Sequence, residues 1–136
     1  LNSDLKQSNV FIGVQDKDKT AIIEVARKFE SAGFSILATP GTYQILEANG
    51  ITDLQQTSMN IEDPVNVHVH IRTGRVSLVI NTTRPRKRII DTHHIRRMTL
   101  MYNIPYCTTV QAAKQMAESI QFFSGRSEFS YRPLPA

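Results

Sequence analysis

Two short apolar runs, each ending on small hydrogen-bonding residues, constrain this chain more than any other feature. Val76-Ser77-Leu78-Val79-Ile80 runs into Asn81-Thr82-Thr83, and Phe34-Ser35-Ile36-Leu37-Ala38 runs into Thr39-Pro40-Gly41-Thr42. Short apolar and β-branched runs bounded by turn formers read as buried strands. In an open parallel sheet the carboxyl ends of the strands are where ligands dock. Two such ends bearing Thr, Gly and Asn predict a cradle for an anion.

The rest of the chain supplies the sheet and its covering helices. Val10-Phe11-Ile12-Gly13-Val14 reads as a first strand. After a polar loop, Ile22, Val25, Ala26 and Phe29 follow the i, i+3, i+4, i+7 spacing of a helix that Gly33 can stop. A short helix is predicted from about Thr42 to Asn49, ended by Gly50, with Ile51 to Leu54 as the next strand. Val65, Val67, Val69 and Ile71 alternate as a strand would. Asp63-Pro64 nevertheless offers an N-cap and first helical residue, Gly74 offers a stop, and no hairpin signal separates this segment from the strand at Val76. These signals favour a helix. Asp91 or Thr92 then caps a helix with Ile95, Met98 and Met101 on one face, and Ile104 to Cys107 is a short strand. Thr108-Thr109 opens a last helix with Ala112, Ala113, Met116, Ala117 and Ile120 inward. Strand and helix alternate nearly throughout. That predicts a single α/β domain over residues 1–136, three layers deep, with a parallel sheet of about five strands and peripheral tails at 1–8 and 125–136.

Composition narrows the function. No stretch of the 136 residues approaches the roughly 18 apolar residues that span a bilayer. The first residues lack both a signal-peptide pattern and an initiating Met, as expected of a piece excised from a longer polypeptide. The single cysteine, Cys107, cannot form an internal disulfide, so a reducing, cytoplasmic setting is expected. It reads as a small apolar filler. The net charge of +4 is uneven: Arg84, Arg86, Lys87, Arg88, Arg96 and Arg97 against Asp91 give +5 between positions 84 and 97, leaving −1 for the remainder. No aromatic residue is interleaved with that cluster, which argues against nucleic acid and for a local anion site or a charged docking surface. His68, His70, His93 and His94 have no Cys or carboxylate at zinc-ligand spacing, so no metal site is expected.

Three elements converge: Lys19 early in the first strand-to-helix connection, Thr39-x-Gly41-Thr42, and Asn81-Thr82-Thr83. The Val79-Ile80-Asn81-Thr82-Thr83 segment is followed by Asp91, Thr92 and Ile95-Arg96-Arg97, then by Tyr106-x-Thr108-Thr109. From about Val10 to Ile120 the chain resembles the methylglyoxal-synthase-like domain, and within that group the C-terminal allosteric domain of carbamoyl phosphate synthetase large subunits.

That resemblance implies a regulatory domain that binds a phosphorylated nucleotide effector such as UMP or IMP. The phosphate would fall to Lys19, Thr39, Gly41, Thr42, Asn81, Thr82 and Thr83, and the ribose and base to Thr92, His94, Ile95 and Thr109. It implies no catalytic residue and no cofactor in the domain. The parent enzyme would use ATP and Mg, and its other large-subunit domains and glutaminase small subunit would be the partners, with no nucleic acid and no membrane. One departure stands out. The family often places a second lysine shortly after the third strand, where this chain has Gln55-Gln56-Thr57-Ser58; Arg84 or Arg86 could substitute. The rival activity, methylglyoxal synthase, needs a carboxylate to move protons beside a carbonyl. Here Asn60-Ile61-Glu62-Asp63-Pro64 lacks the glycine pair of that catalytic segment, and Asp63 is better explained as a helix cap. Thr42→Val is expected to remove an anion donor with little change in fold.

Overall fold

The computed structural model describes residues 8–60, 62–64, 66–83 and 89–125. Five strands, β1 (Asn9–Gly13), β2 (Ser35–Ala38), β3 (Leu54–Gln56), β4 (Val76–Asn81) and β5 (Tyr106–Cys107), form one sheet in the order β3-β2-β1-β4-β5. Every pairing is parallel, with Phe11 opposite Leu37 on one side and Val79 on the other. Between the strands run α1 (Lys19–Ser31), α2 (Pro40–Ala48), α3 (Val67–Arg72) and α4 (Ile89–Met101), and α5 (Val110–Gly125) closes the fold.

Side-chain alternation along the strands builds two cores. Val10, Ile12, Ile36, Ala38, Leu78 and Ile80 point to the face covered by α1, α2 and α5, which contribute Ile22, Phe29, Leu46, Ala113 and Ala117. Phe11, Leu37 and Val79 point the other way, onto Val67 and Ile71 of α3 and Ile95 of α4. Because successive side chains of a strand point to opposite faces, continuous apolar strands require a cover on each. The expected three-layer α/β arrangement follows. A register shift between Asn9 and Val10, where β1 meets β4, places Val76 with the second core.

Several boundaries differ from the sequence reading. The third strand is Leu54–Gln56, not Ile51 to Leu54; Ile51 is buried behind the end of α2, and the strand itself is a polar edge. The segment from Val67 is a helix, as the cap and stop signals favoured, but its cap is Asn66. The Asn66 side chain accepts from the N–H groups of His68 and Val69, while Asp63 is exposed upstream. Helix α2 starts at Pro40, before Thr42, and α4 starts at Ile89, so Asp91 and Thr92 lie inside the helix they were expected to cap. On α4, Ile95 is fully buried but Met101 is 64% exposed, so Met101 is not on the inward face. The stops at Gly33, Gly50 and Gly74 do adopt positive φ, at 97°, 89° and 76°. Both predicted tails fall largely outside the described residues, at 1–7 and 126–136, as does the basic run 84–88.

Candidate functional site

The strand order reverses direction at β1: β2 and β3 lie to one side of it, β4 and β5 to the other. Such a switch point opens a crevice at the carboxyl ends of the strands. The chain leaving β1 ties the two sides together. Val14 N–H donates to Thr42 Oγ1 at 3.2 Å, and Gln15 N–H donates to Thr82 Oγ1 at 3.1 Å.

On the β2 side, α2 begins at once after Thr39, with Pro40 in its first turn. Proline suits that position because its missing N–H is one the helix could not use anyway. The N–H groups of Gly41 and Thr42 are then first-turn donors with no intrahelical acceptor, at the positive end of the helix dipole. Lys19 lies beside Gly41. A Cβ placed on Gly41 would sit 3.3 Å from Lys19 Cε and 3.4 Å from its Nζ, a tight contact that the end of the lysine would relieve by shifting a few tenths of an ångström. Lys19 Nζ donates to Asp16 Oδ1 at 2.7 Å and to the Val14 carbonyl at 3.2 Å. The hydrogen bond and charge of Lys19 hold the Asp16 carboxyl below its ordinary range. Thr39 Oγ1 and Thr42 Oγ1 are 3.2 Å apart. Thr42 is fully buried and its oxygen serves Val14, so the threonine supports the fold as well as the site.

On the β4 side, Asn81 and Thr82 are buried and Thr83 half-buried at the strand end. Asn81 Oδ1 accepts from Thr83 N–H at 3.1 Å and from the Thr83 hydroxyl at 2.5 Å, while its Nδ2 donates to the Tyr106 hydroxyl at 3.0 Å. These residues line a cleft of about 580 Å³ that also touches Gln15, Thr108 and Thr109. Thr109 Oγ1 accepts from Ala112 N–H at 3.1 Å, capping α5 at the rim of the cleft. Lys19, Thr39, Gly41 and Thr42 do not line it. The two groups flank the end of β1 as neighbouring halves, joined through Val14 and Gln15.

The remaining sequence candidates divide. Ile95 is fully buried in the second core among Phe11, Val67 and Val79, so it packs the fold and does not face a ligand. His94 is half-buried, its ring edge-on to that of His68 with centroids 6.0 Å apart. Thr92 lies on α4 with its side chain outside the described set, and Arg84 and Arg86 lie outside it altogether. In the sequence Tyr106 stands out only as part of a motif and a strand; its contact with Asn81 spans 25 positions and depends on β4 and β5 being neighbours. Nor does any local pattern single out the Thr57 hydroxyl. It is buried without a hydrogen-bond partner beside a hollow of about 350 Å³ that Pro40, Ser58 and Asp63 also line.

Other chemistry is sparse. Among the described residues no three His, Cys, Asp or Glu side chains are grouped to hold a metal ion, and no helix is long and apolar enough to cross a membrane. Cys107 is buried, and burial pushes its thiol ionisation up, away from nucleophilic use.

Comparison with known proteins places this geometry. The chain is 45% identical over 112 residues to the carbamoyl phosphate synthase large chain of Methanothrix thermoacetophila, covering 82% of this chain and 10% of that protein. It is 39% identical over 129 residues to the large chain of Myxococcus xanthus, covering 95% and 12%. To the large chain, C-terminal section, of Aquifex aeolicus it is 38% identical over 116 residues, covering 85% and 21%. The chain therefore spans about a tenth to a fifth of the length of these relatives. A methylglyoxal synthase from Elizabethkingia anophelis shares the fold, with a TM-score of 0.63 at 13% identity over 96% of this chain and 94% of that one. With the MGS-like domain model matched over residues 21–108, this chain belongs to the MGS-like domain family.

Proposed function

We propose that this chain is the regulatory domain of a carbamoyl phosphate synthase large chain, binding a phosphorylated nucleotide such as UMP or IMP at the carboxyl edge of its sheet. One observation carries the reading: the Lys19 ammonium lies beside Gly41 in the first turn of α2, where the backbone N–H groups have no intrahelical acceptor. A cation, a helix N-terminus and two threonine hydroxyls converge there, the combination that suits a phosphate. The 580 Å³ cleft beside it has room for the rest of a nucleotide. The relatives' identity supports the parent assignment. The domain itself would catalyse nothing. ATP and Mg would act in the parent's other domains, and the glutaminase subunit would be reached through them.

Regulation then requires only that the effector bind the domain differently in the more and less active states of the parent. The coupling is reciprocal and typically about 1–3 kcal/mol. Calorimetric titration with UMP, IMP and dihydroxyacetone phosphate at two salt concentrations tests the reading. One nucleotide should bind in a salt-sensitive way, and Lys19→Ala should weaken it most at low salt. Binding that ignores both salt and Lys19→Ala would remove the phosphate pocket. Methylglyoxal formed from the triose phosphate would replace the regulator with an enzyme.

A further inference from the structure

We propose that Tyr106 is a positioning residue of this effector site: its hydroxyl, with the ring held under Arg96, locks the Asn81 side-chain amide and so decides which donors the β4 end offers a ligand. The inference rests on the effector reading above and adds the residue that sets donor direction.

Asn81 is 3% exposed, so its amide must be satisfied within the fold. Thr83 N–H, a donor only, selects the orientation in which Oδ1 faces it at 3.1 Å. The amide nitrogen then faces β5, where the Tyr106 oxygen takes one of its two protons at 3.0 Å. A phenol can donate and accept. Here it accepts from Asn81, so its own proton remains for the cleft that it lines beside Asn81 and Thr82. Burial pushes the Tyr106 ionisation up, against the opposing pull of Asn81 and Arg96, so that proton stays in place. The same accounting leaves the second Asn81 N–H and the Thr82 proton, whose oxygen is engaged by Gln15 N–H. One amide N–H of set direction and two hydroxyl protons that can turn to a ligand result, donors suited to the oxygen acceptors of a phosphate or a base carbonyl.

The ring is set from outside the site. The Arg96 guanidinium, on the exposed face of α4, stacks over it 4.6 Å from the centroid. Tyr106 therefore connects α4 to Asn81 in two contacts.

Tyr106→Phe keeps the ring and the Arg96 stack and removes only the hydroxyl. In the ligand-free chain, one Asn81 side-chain amide proton should be shifted downfield and slow to exchange by NMR, and Tyr106→Phe should abolish both signatures. Unchanged Asn81 resonances would overturn the proposal. In titrations with UMP and IMP, Tyr106→Phe should weaken binding by about 3- to 10-fold, the range of one net hydrogen bond. In an Asn81→Ala background the same change should add less than about 2-fold. Full additivity would make Tyr106 an independent contact and overturn its positioning role. If Tyr106→Phe does not fold, Arg96→Ala frees the ring and should loosen the same Asn81 proton; no response would overturn the proposal. Failure of the unaltered chain to bind either nucleotide would remove the effector reading, while the Asn81 resonances still decide whether Tyr106 orients the amide.

Discussion

Thr42→Val tests how far the site and the fold share one atom. Thr42 is fully buried, and its Oγ1 lies 3.2 Å from both Val14 N and Thr39 Oγ1. Valine matches threonine in shape but offers no acceptor. Val14 is 2% exposed, so its N–H would be left buried and unpaired, at a cost of about 1–3 kcal/mol. The extra buried methyl returns up to about 0.8 kcal/mol. A net loss of about 1–2 kcal/mol is expected, roughly 3–10 °C in melting temperature for a chain of this size. Urea unfolding followed by circular dichroism should show a lower midpoint at constant m-value. Amide exchange should show Val14 losing protection while the remainder of β1 keeps it. Thr42→Ser, which retains the oxygen, should leave Val14 protected. Stability within about 0.3 kcal/mol of the parent, with Val14 still protected in the valine variant, would refute the reasoning. Effector affinities of the two variants must be compared well below both melting temperatures, because the hydroxyl serves both roles.

Two further outcomes follow from local geometry. Asn66 Oδ1 accepts from His68 N–H at 2.9 Å and Val69 N–H at 3.2 Å, so Asn66→Ala should cost about 1–2 kcal/mol and raise amide exchange across α3. Asn66→Asp keeps the acceptor for both N–H groups but loses the 2.6 Å donation from Asn66 Nδ2 to the Asp63 carbonyl, so it should restore the protection of α3 only in part. Glu30 accepts from Asp53 N–H at 2.8 Å and from Thr52 N–H at 3.0 Å. These bonds, led by that from Asp53, hold its folded-state ionisation below the ordinary value. Its contribution is therefore present above about pH 4.5 and lost as pH falls through the folded value. Glu30→Gln should lower stability at pH 7 and flatten the acid limb of the unfolding profile; an unchanged limb would place the titration elsewhere.

Much of the candidate site was legible because it is written in contiguous segments. Thr39-Pro40-Gly41-Thr42 names a strand end and a helix start together, and Asn81-Thr82-Thr83 names another strand end. The helix at Val67 was legible despite its alternating valines, because the flanking signals outweighed a periodicity that a six-residue helix cannot express. Its cap is not the residue that the local pattern indicates. Asp63-Pro64 satisfies the local rule, but the helix starts three residues later, where the Asn66 side chain accepts from the N–H groups of His68 and Val69. The spacing puts Met101 inward, yet at the end of α4 it is exposed, as are Leu100 and Tyr102.

Sequence alone determined the alternation of strands and helices, and with it a parallel sheet covered on both faces, because each element's period and punctuation are local. It also determined which strand ends carry hydroxyls, amides and glycine. Tertiary structure decided which of those ends became neighbours. The order β3-β2-β1-β4-β5 puts the exit of β1 between Thr42 and Thr82 and sets Tyr106 against Asn81. It also sends Ile95 into the core, in keeping with its place on the apolar face of α4, although the family resemblance implied a ligand contact there. Pairings of this kind join residues separated by 25 or more positions, and no local pattern encodes which side of β1 a later strand will take.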